Sequence, residues 1–400
     1  MPESPIRKLV PYADEAKKKG ITVYHLNIGQ PDMAPSDTTL SAIRNSPIDV
    51  IEYSHSAGNL SYRKKLAEYY NKLDIDVCAD DILITTGASE AILFAFNSCL
   101  NPGDEIIMPE PFYANYNGFA TATDVHIVPI TSYIEDNYAL PPIEEFEKKI
   151  TAKTKGIFIC NPNNPTGYLY SKEEIEKLGN LVKKYDLYLF ADEVYRTLCY
   201  VDDPFFSAMQ LKGTEKNVLL IDSASKKYNA CGLRIGALIT RNKDIINTAM
   251  KFAQARLSPP HFGQIAGEAA LDSSVSYLDA IYEEFKSRHD YLVDALTTME
   301  GVFCADPKGA FYIMARLPID DADAFSLWLL KDFSYKNQTV MLAPASGFYK
   351  TPGLGRDEVR IAYVLDRKKL AKAMDCLSEA LKVYPGKVTK KKHKPVKCST

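Results

Sequence analysis

Short apolar runs alternate along this chain with longer segments whose apolar residues recur at helical spacing. The runs at 23–26, 81–86, 105–108, 124–130, 156–160, 187–191, 217–220 and 235–239 read as strands. Residues 187–191 are too apolar to leave one face in water. Helical spacing predicts helices over 6–19, 60–73, 91–100, 172–185, 243–256, 263–271 and 275–299. Beyond residue 300 the rhythm changes to strands at 309–314, 340–344 and 358–364, with helices at 321–330 and 367–381. Strands and helices in this alternation predict an α/β fold, and 400 residues with 46% hydrophobic content suffice for two domains.

Chemistry collects just past the strands. Gly87-Ala88-Ser89-Glu90 feeds a helix N-terminus, whose free N–H groups and dipole suit an anion. The spacing is not that of a nucleotide-triphosphate loop. The stiff segment 109–116 carries Tyr113, an aromatic ring able to stack on a heterocycle. Asn161-Pro-Asn-Asn164-Pro-Thr-Gly167 is a strongly specified turn. Asp192 ends an apolar strand and is followed by Glu193-Val194-Tyr195. A carboxylate there is costly unless paired, which makes it a candidate for function; a helix N-cap or structural ion pair is the alternative. Ser223, Ser225 and Arg234 offer the hydroxyls and rigid donor fork that a phosphate dianion takes. Lys226 lies among them, and a lysine near another cation becomes a nucleophilic amine. Phosphate and aldehyde on one molecule describe pyridoxal phosphate; a solvated turn with two surface lysines is the alternative. Arg360 interrupts an apolar strand and calls for an anion or a structural carboxylate. Gly29 permits close backbone approach, or is a turn glycine.

Composition changes this picture little. The net charge of −3 shows no bias towards nucleic acid or an anionic membrane. The eight cysteines are scattered without metal-ligand spacing, which reads as a reduced, cytoplasmic protein, and no metal is expected. No apolar run reaches membrane-spanning length, and the N-terminus does not read as a signal peptide. Six lysines within residues 387–397 make 387–400 a basic, solvated tail.

These motifs resemble those of the class I/II aminotransferases, the aspartate aminotransferase-like family of pyridoxal-phosphate fold type I. The most specific are Ser223-Ala-Ser-Lys226 with Gly232-x-Arg234-x-Gly236, Asn161 to Gly167, and Asp192-Glu-Val-Tyr195. Gly29, Tyr53 with Ala57-Gly58, Gly87-Ala88-Ser89, Tyr113, Pro307-x-Gly309-Ala-Phe-Tyr312 and Arg360 support them, and the likeness spans about residues 4–381. It implies a large cofactor domain (45–285) with a mixed, mostly parallel sheet flanked by helices. A smaller α/β domain would comprise 1–44 and 286–386.

It also implies roles. Lys226 would hold pyridoxal 5'-phosphate covalently and act as base at the substrate Cα. Asp192 would pair with the pyridine nitrogen. Asn164 and Tyr195 would bond the phenolate oxygen, and Tyr113 and Val194 would flank the ring. Ser223, Ser225, Arg234 and the amides of Ala88 and Ser89 would hold the phosphate, with Tyr53 reaching it from a second subunit of a homodimer. Arg360, Asn164 and Gly29 would meet the substrate. The implied reaction is ping-pong transfer of the amino group of an L-amino acid, aspartate or a broader range, to a 2-oxo acid such as 2-oxoglutarate. Two departures leave the donor open: residues 273–277 hold no arginine where aspartate-specific relatives carry one, and segment 344–349 is altered. Other readings are a β- or γ-eliminating lyase or synthase on the same fold, and a non-catalytic aminotransferase-like binding protein.

Overall fold

The computed structural model describes residues 6–46 and 48–388. Its centre is a seven-stranded sheet built from β2 (Ile82–Thr85), β3 (Glu105–Glu110), β4 (His126–Thr131), β5 (Thr154–Cys160), β6 (Tyr188–Asp192), β7 (Val218–Ser223) and β8 (Gly236–Ile239). The short strand β1 (Thr22–His25) precedes them. The order across the sheet is β2-β8-β7-β6-β5-β3-β4. Only β8 runs antiparallel to its neighbours. The sheet is therefore mixed and mostly parallel, as the resemblance implies, and β2, β3, β5, β6 and β7 all end on one edge.

Alternate residues of each strand serve opposite faces. Leu83, Phe158, Phe190, Leu219 and Ile221 pack on one side with Ile92 and Phe96 of helix Gly87–Cys99 and Ala249 of helix Lys243–Arg256. Ile84, Ile157, Leu189 and Leu220 pack on the other with Leu66 of helix Leu60–Asn71 and Leu178 of helix Lys172–Tyr185. Both faces being covered explains why these strands read as unbroken apolar runs.

Five further strands follow: β9 (Phe303–Cys304), β10 (Tyr312–Arg316), β11 (Gln338–Met341), β12 (Ala343–Pro344) and β13 (Glu358–Ala362). They form a four-stranded sheet, β12-β13-β10-β9, and a parallel pair of β1 with β11. The single strand expected over 340–344 is thus two, in different sheets, with Leu342 between them. Both pieces are buried, so hydrophobicity alone cannot mark the break. Two helices expected to begin at 91 and 263 start earlier, at Gly87 and His261. Helix Asn115–Ala122 falls where a loop was expected; Gly118, Thr121 and two asparagines give it weak propensity. It is held by burial of Tyr116, whose ring lies 4.6 Å from that of Phe158. The basic tail begins later than expected, since Lys387 bridges Ile319; residues 389–400 lie outside the described residues. No helix among the described residues is long and apolar enough to cross a membrane.

Candidate active site

The shared carboxyl edge opens into a cavity of about 600 Å³. Every candidate named from the sequence lines it except Tyr53: Gly29, Ala88, Ser89, Tyr113, Asn164, Asp192, Val194, Tyr195, Ser223, Ser225, Lys226, Arg234 and Arg360. Tyr53 is 77% exposed and does not line the cavity.

Asp192 is the last residue of β6 and is buried. Its Oδ2 accepts from the Tyr116 hydroxyl at 2.7 Å, and Oδ1 from the Val194 N–H at 3.3 Å. It has no ion-pair partner among the described residues, so the structural ion-pair alternative does not describe it. Burial pushes its carboxyl up to about 6, against the pull of those two hydrogen bonds. A buried carboxylate without a cation fits a protonated ring nitrogen brought by a ligand.

Ser223 ends β7 and caps the one-turn helix Ala224–Lys227 by accepting the Ser225 N–H. That turn presents Lys226 to the cavity, where its Nζ donates to the Gly29 carbonyl oxygen at 2.6 Å. Desolvation lowers its basicity, and the Arg360 and Arg234 charges add to this. Lys227 faces the other way and is only 5% exposed. Neither is a surface lysine, which removes the solvated-turn alternative.

Arg234 adopts a left-handed backbone (φ 53°), which turns its guanidinium to the N-terminus of helix Gly87–Cys99. Gly87, itself at φ +72°, leaves that space: a Cβ there would sit 2.4 Å from Arg234 Nη2. The Ser223 and Ser225 hydroxyls lie 2.8 Å apart beside it. Helix amides, two hydroxyls and a guanidinium form a cradle suited to a phosphate group.

Arg360 lies on β13 and is 1% exposed. Its Nη1 donates to Asn164 Oδ1 at 2.9 Å and Nη2 to the Asn27 carbonyl at 2.5 Å, while Nε has no partner. Among the described residues it forms no ion pair, so the structural-carboxylate alternative falls and a free anion is what the group lacks. Its guanidinium lies 4.4 Å from the Tyr312 ring centre, and the Tyr312 hydroxyl is 3.0 Å from that of Tyr195. At Gly29 a Cβ would come within 1.7 Å of the Tyr312 hydroxyl, so close approach is required there.

Tyr116, Cys231, Ile6 and Arg7 are among the lining residues that sequence reasoning missed. Tyr116 stands one helical turn from Tyr113, a spacing that signals shared orientation only once the helix is known. Cys231, whose Sγ lies 3.8 Å from Lys226 Nζ, sits inside a motif read for its glycine and arginine. Ile6 and Arg7 belong to a segment read only as helix, and no local signal marks them.

Together these groups accommodate a phosphate, a basic ring nitrogen and an aldehyde. The sequence profile described as "Aminotransferase class I and II" matches residues 21–377, and the chain belongs to that family. It is similar to an aspartate aminotransferase of Pyrococcus horikoshii, 31% identical with 92% of this chain and 93% of that protein aligned. An aspartate aminotransferase of Thermotoga maritima is also 31% identical, over 95% of this chain and 97% of that protein. The solved structure of an alanine aminotransferase from Pyrococcus furiosus superposes with a TM-score of 0.87 at 30% identity, covering 94% of this chain and 96% of that one. The protein is an aminotransferase of the pyridoxal-phosphate-dependent kind.

Proposed function

We propose that the protein transfers the amino group of an L-amino acid, aspartate among its donors, to a 2-oxo acid such as 2-oxoglutarate. The observation that carries this reading is the opening of Lys226, Asp192 and Arg360 into one cavity, each without an ionic partner of its own among the described residues. The aspartate aminotransferases of P. horikoshii and T. maritima support aspartate as donor.

Pyridoxal phosphate, when bound, supplies a reactive carbonyl and an electron-withdrawing ring. Ser223, Ser225, Arg234 and the amides at Ala88 and Ser89 hold its phosphate. Asp192 keeps the ring nitrogen protonated; opposite charges at 4 Å attract by about 4 kcal/mol at an effective dielectric of 20. Tyr116 and the Val194 N–H fix that carboxylate in place. Asn164 and Tyr195 would hydrogen-bond the ring oxygen, and Tyr113 and Val194 would flank the ring. Arg360, steadied by Asn164 and Asn27, takes the substrate α-carboxylate in a bidentate pair. Lys226 Nζ, made less basic by desolvation, removes and returns the proton at the substrate Cα.

Tyr53, exposed in the single chain, completes the phosphate site of a second copy, so the working unit is a homodimer. Residues 45–285 form the cofactor domain, and 1–44 with 286–386 the smaller one; the pairing of β1 with β11 supports this grouping. The seven cysteines among the described residues are all free, which suits a reducing, cytoplasmic setting.

The test is a donor screen of the cofactor-loaded protein with 2-oxoglutarate as acceptor. Glutamate formed from aspartate, with ping-pong kinetics, is the expected result. Release of ammonia and an oxo acid without any acceptor would instead establish elimination chemistry.

A further inference from the structure

The cavity carries four cationic side chains, Arg7, Lys226, Arg234 and Arg360, and a single acidic one, Asp192, among its described lining residues. The function proposed above assigns an anion or a covalent bond to three of the four. Arg234 takes the phosphate, Lys226 the aldehyde carbon and Arg360 the α-carboxylate, while Asp192 serves the ring nitrogen. Arg7 is left over. Its side chain has no hydrogen-bond or ion-pair partner among the described residues, and Tyr113 lies within reach of its charge.

Its position is fixed by its neighbours. The Ile6 carbonyl accepts from Asn27 Nδ2 at 3.3 Å, and the Arg7 carbonyl from the Val10 N–H at 3.0 Å. Ile6 packs on the apolar cluster that contains Ala114 and Phe348, and Lys8 pairs with Asp323. Asn27 is shared, because its own carbonyl accepts from Arg360. The segment carrying Arg7 is thus tied to the residue that orients Arg360, with Arg7 exposed at the cavity wall. A substrate held by its α-carboxylate at Arg360 enters a space whose remaining unsatisfied charge is a second guanidinium. Such a fork recognises a second carboxylate.

We propose that Arg7 is the specificity-determining residue that receives the side-chain carboxylate of a dicarboxylic substrate, with its own chain's N-terminal segment supplying the group. This rests on the aminotransferase reading with aspartate as donor. Because Arg7 is exposed, its contribution is moderate and weakened by salt.

The test compares wild type with Arg7→Leu and Arg7→Lys, each as cofactor-loaded protein. It measures kcat/KM for aspartate and alanine, and succinate affinity from the change in visible absorption of the bound cofactor. Arg7→Leu is expected to lower the aspartate-to-alanine ratio of kcat/KM about tenfold, to weaken succinate by a similar factor, and to remove most of the salt dependence of succinate binding. Arg7→Lys should recover part of each. Equal loss on aspartate and alanine, or unchanged succinate affinity, overturns the role of Arg7 and leaves aspartate transamination standing. If wild type turns over alanine but neither aspartate nor glutamate, the donor reading itself fails and this inference with it. Retained cofactor absorption in Arg7→Leu shows that the site is folded, and Arg7→Gln serves as a second variant.

Discussion

Two sets of polar residues lie back to back at the carboxyl edge of the main sheet, and they are adjacent in sequence. Asp192, Tyr195, Ser223 and Lys226 line the cavity. Their chain neighbours Glu193, Arg196, Asp222 and Lys227 are buried behind it. In the rear set Arg196 is paired with Asp222 and Glu193, and Lys227 lies over the Tyr69 ring. Asp222 Oδ2 accepts from the Tyr70 hydroxyl at 2.5 Å and from Arg196 Nη2 at 3.1 Å, and Arg196 Nη1 lies 3.7 Å from Glu193 Oε2. The Arg196 guanidinium sits 4.3 Å from the Tyr70 ring centre, and Glu193 accepts from the Ser207 hydroxyl and the Ala208 N–H. In the front set neither Asp192 nor Lys226 forms an ion pair among the described residues. Burial costs both sets solvation, but only the rear one is compensated within the chain. The contrast separates residues that hold the edge together from residues that wait for a ligand.

Four changes break or sharpen that contrast. Lys226→Ala should have the largest effect, lowering transamination by roughly four orders of magnitude while the fold persists, since proton transfer at Cα loses its base; single-turnover kinetics and circular dichroism check this together. Asp192→Asn should lower kcat about a thousandfold, the rate equivalent of about 4 kcal/mol, without unfolding the protein. Asp222→Ala reverses the pattern. It leaves Arg196 buried without its nearest anion and should cost roughly 3–5 kcal/mol in denaturant unfolding, while kcat of the folded, loaded protein moves less than tenfold. The smallest effect is one of pH. Asp192 is raised from 3.8 to about 6, so the cofactor-free native state keeps a proton that the unfolded chain gives up. Stability from this group is full below pH 3.8 and is lost as pH rises to about 6, by about 3 kcal/mol in all. Subtracting the Asp192→Asn profile from wild type should isolate that slope, and bound cofactor should abolish it by pairing the carboxylate.

The front set was legible in sequence because its members stand at, or three residues beyond, the end of a strand whose apolar run announces burial. Asp192 after 187–191 and Ser223 after the strand at 217 stand where open α/β sheets place ligands. The rear set was not. Glu193, Arg196 and Lys227 look like the polar side of a turn, and only the paired fold brings Tyr70 and Asp222 to them. Helix Asn115–Ala122 escaped for a related reason: it has poor propensity and is held by the packing of Tyr116 on Phe158. The break at Leu342 between β11 and β12 leaves no trace in a continuous apolar run. Arg7 could be singled out only after the cavity's other cations were matched with anions.

Lys226 and Lys227 carry the contrast in one pair of neighbours, and a single measurement separates them. The cofactor-loaded protein is reduced with borohydride, digested, and the peptide spanning 224–234 is sequenced by mass spectrometry. The expected result is a phosphopyridoxyl group on Lys226 alone, with Lys227 unmodified. A label on Lys227, or on a lysine elsewhere while Lys226 stays free, would contradict the assignment of the cavity as the cofactor site.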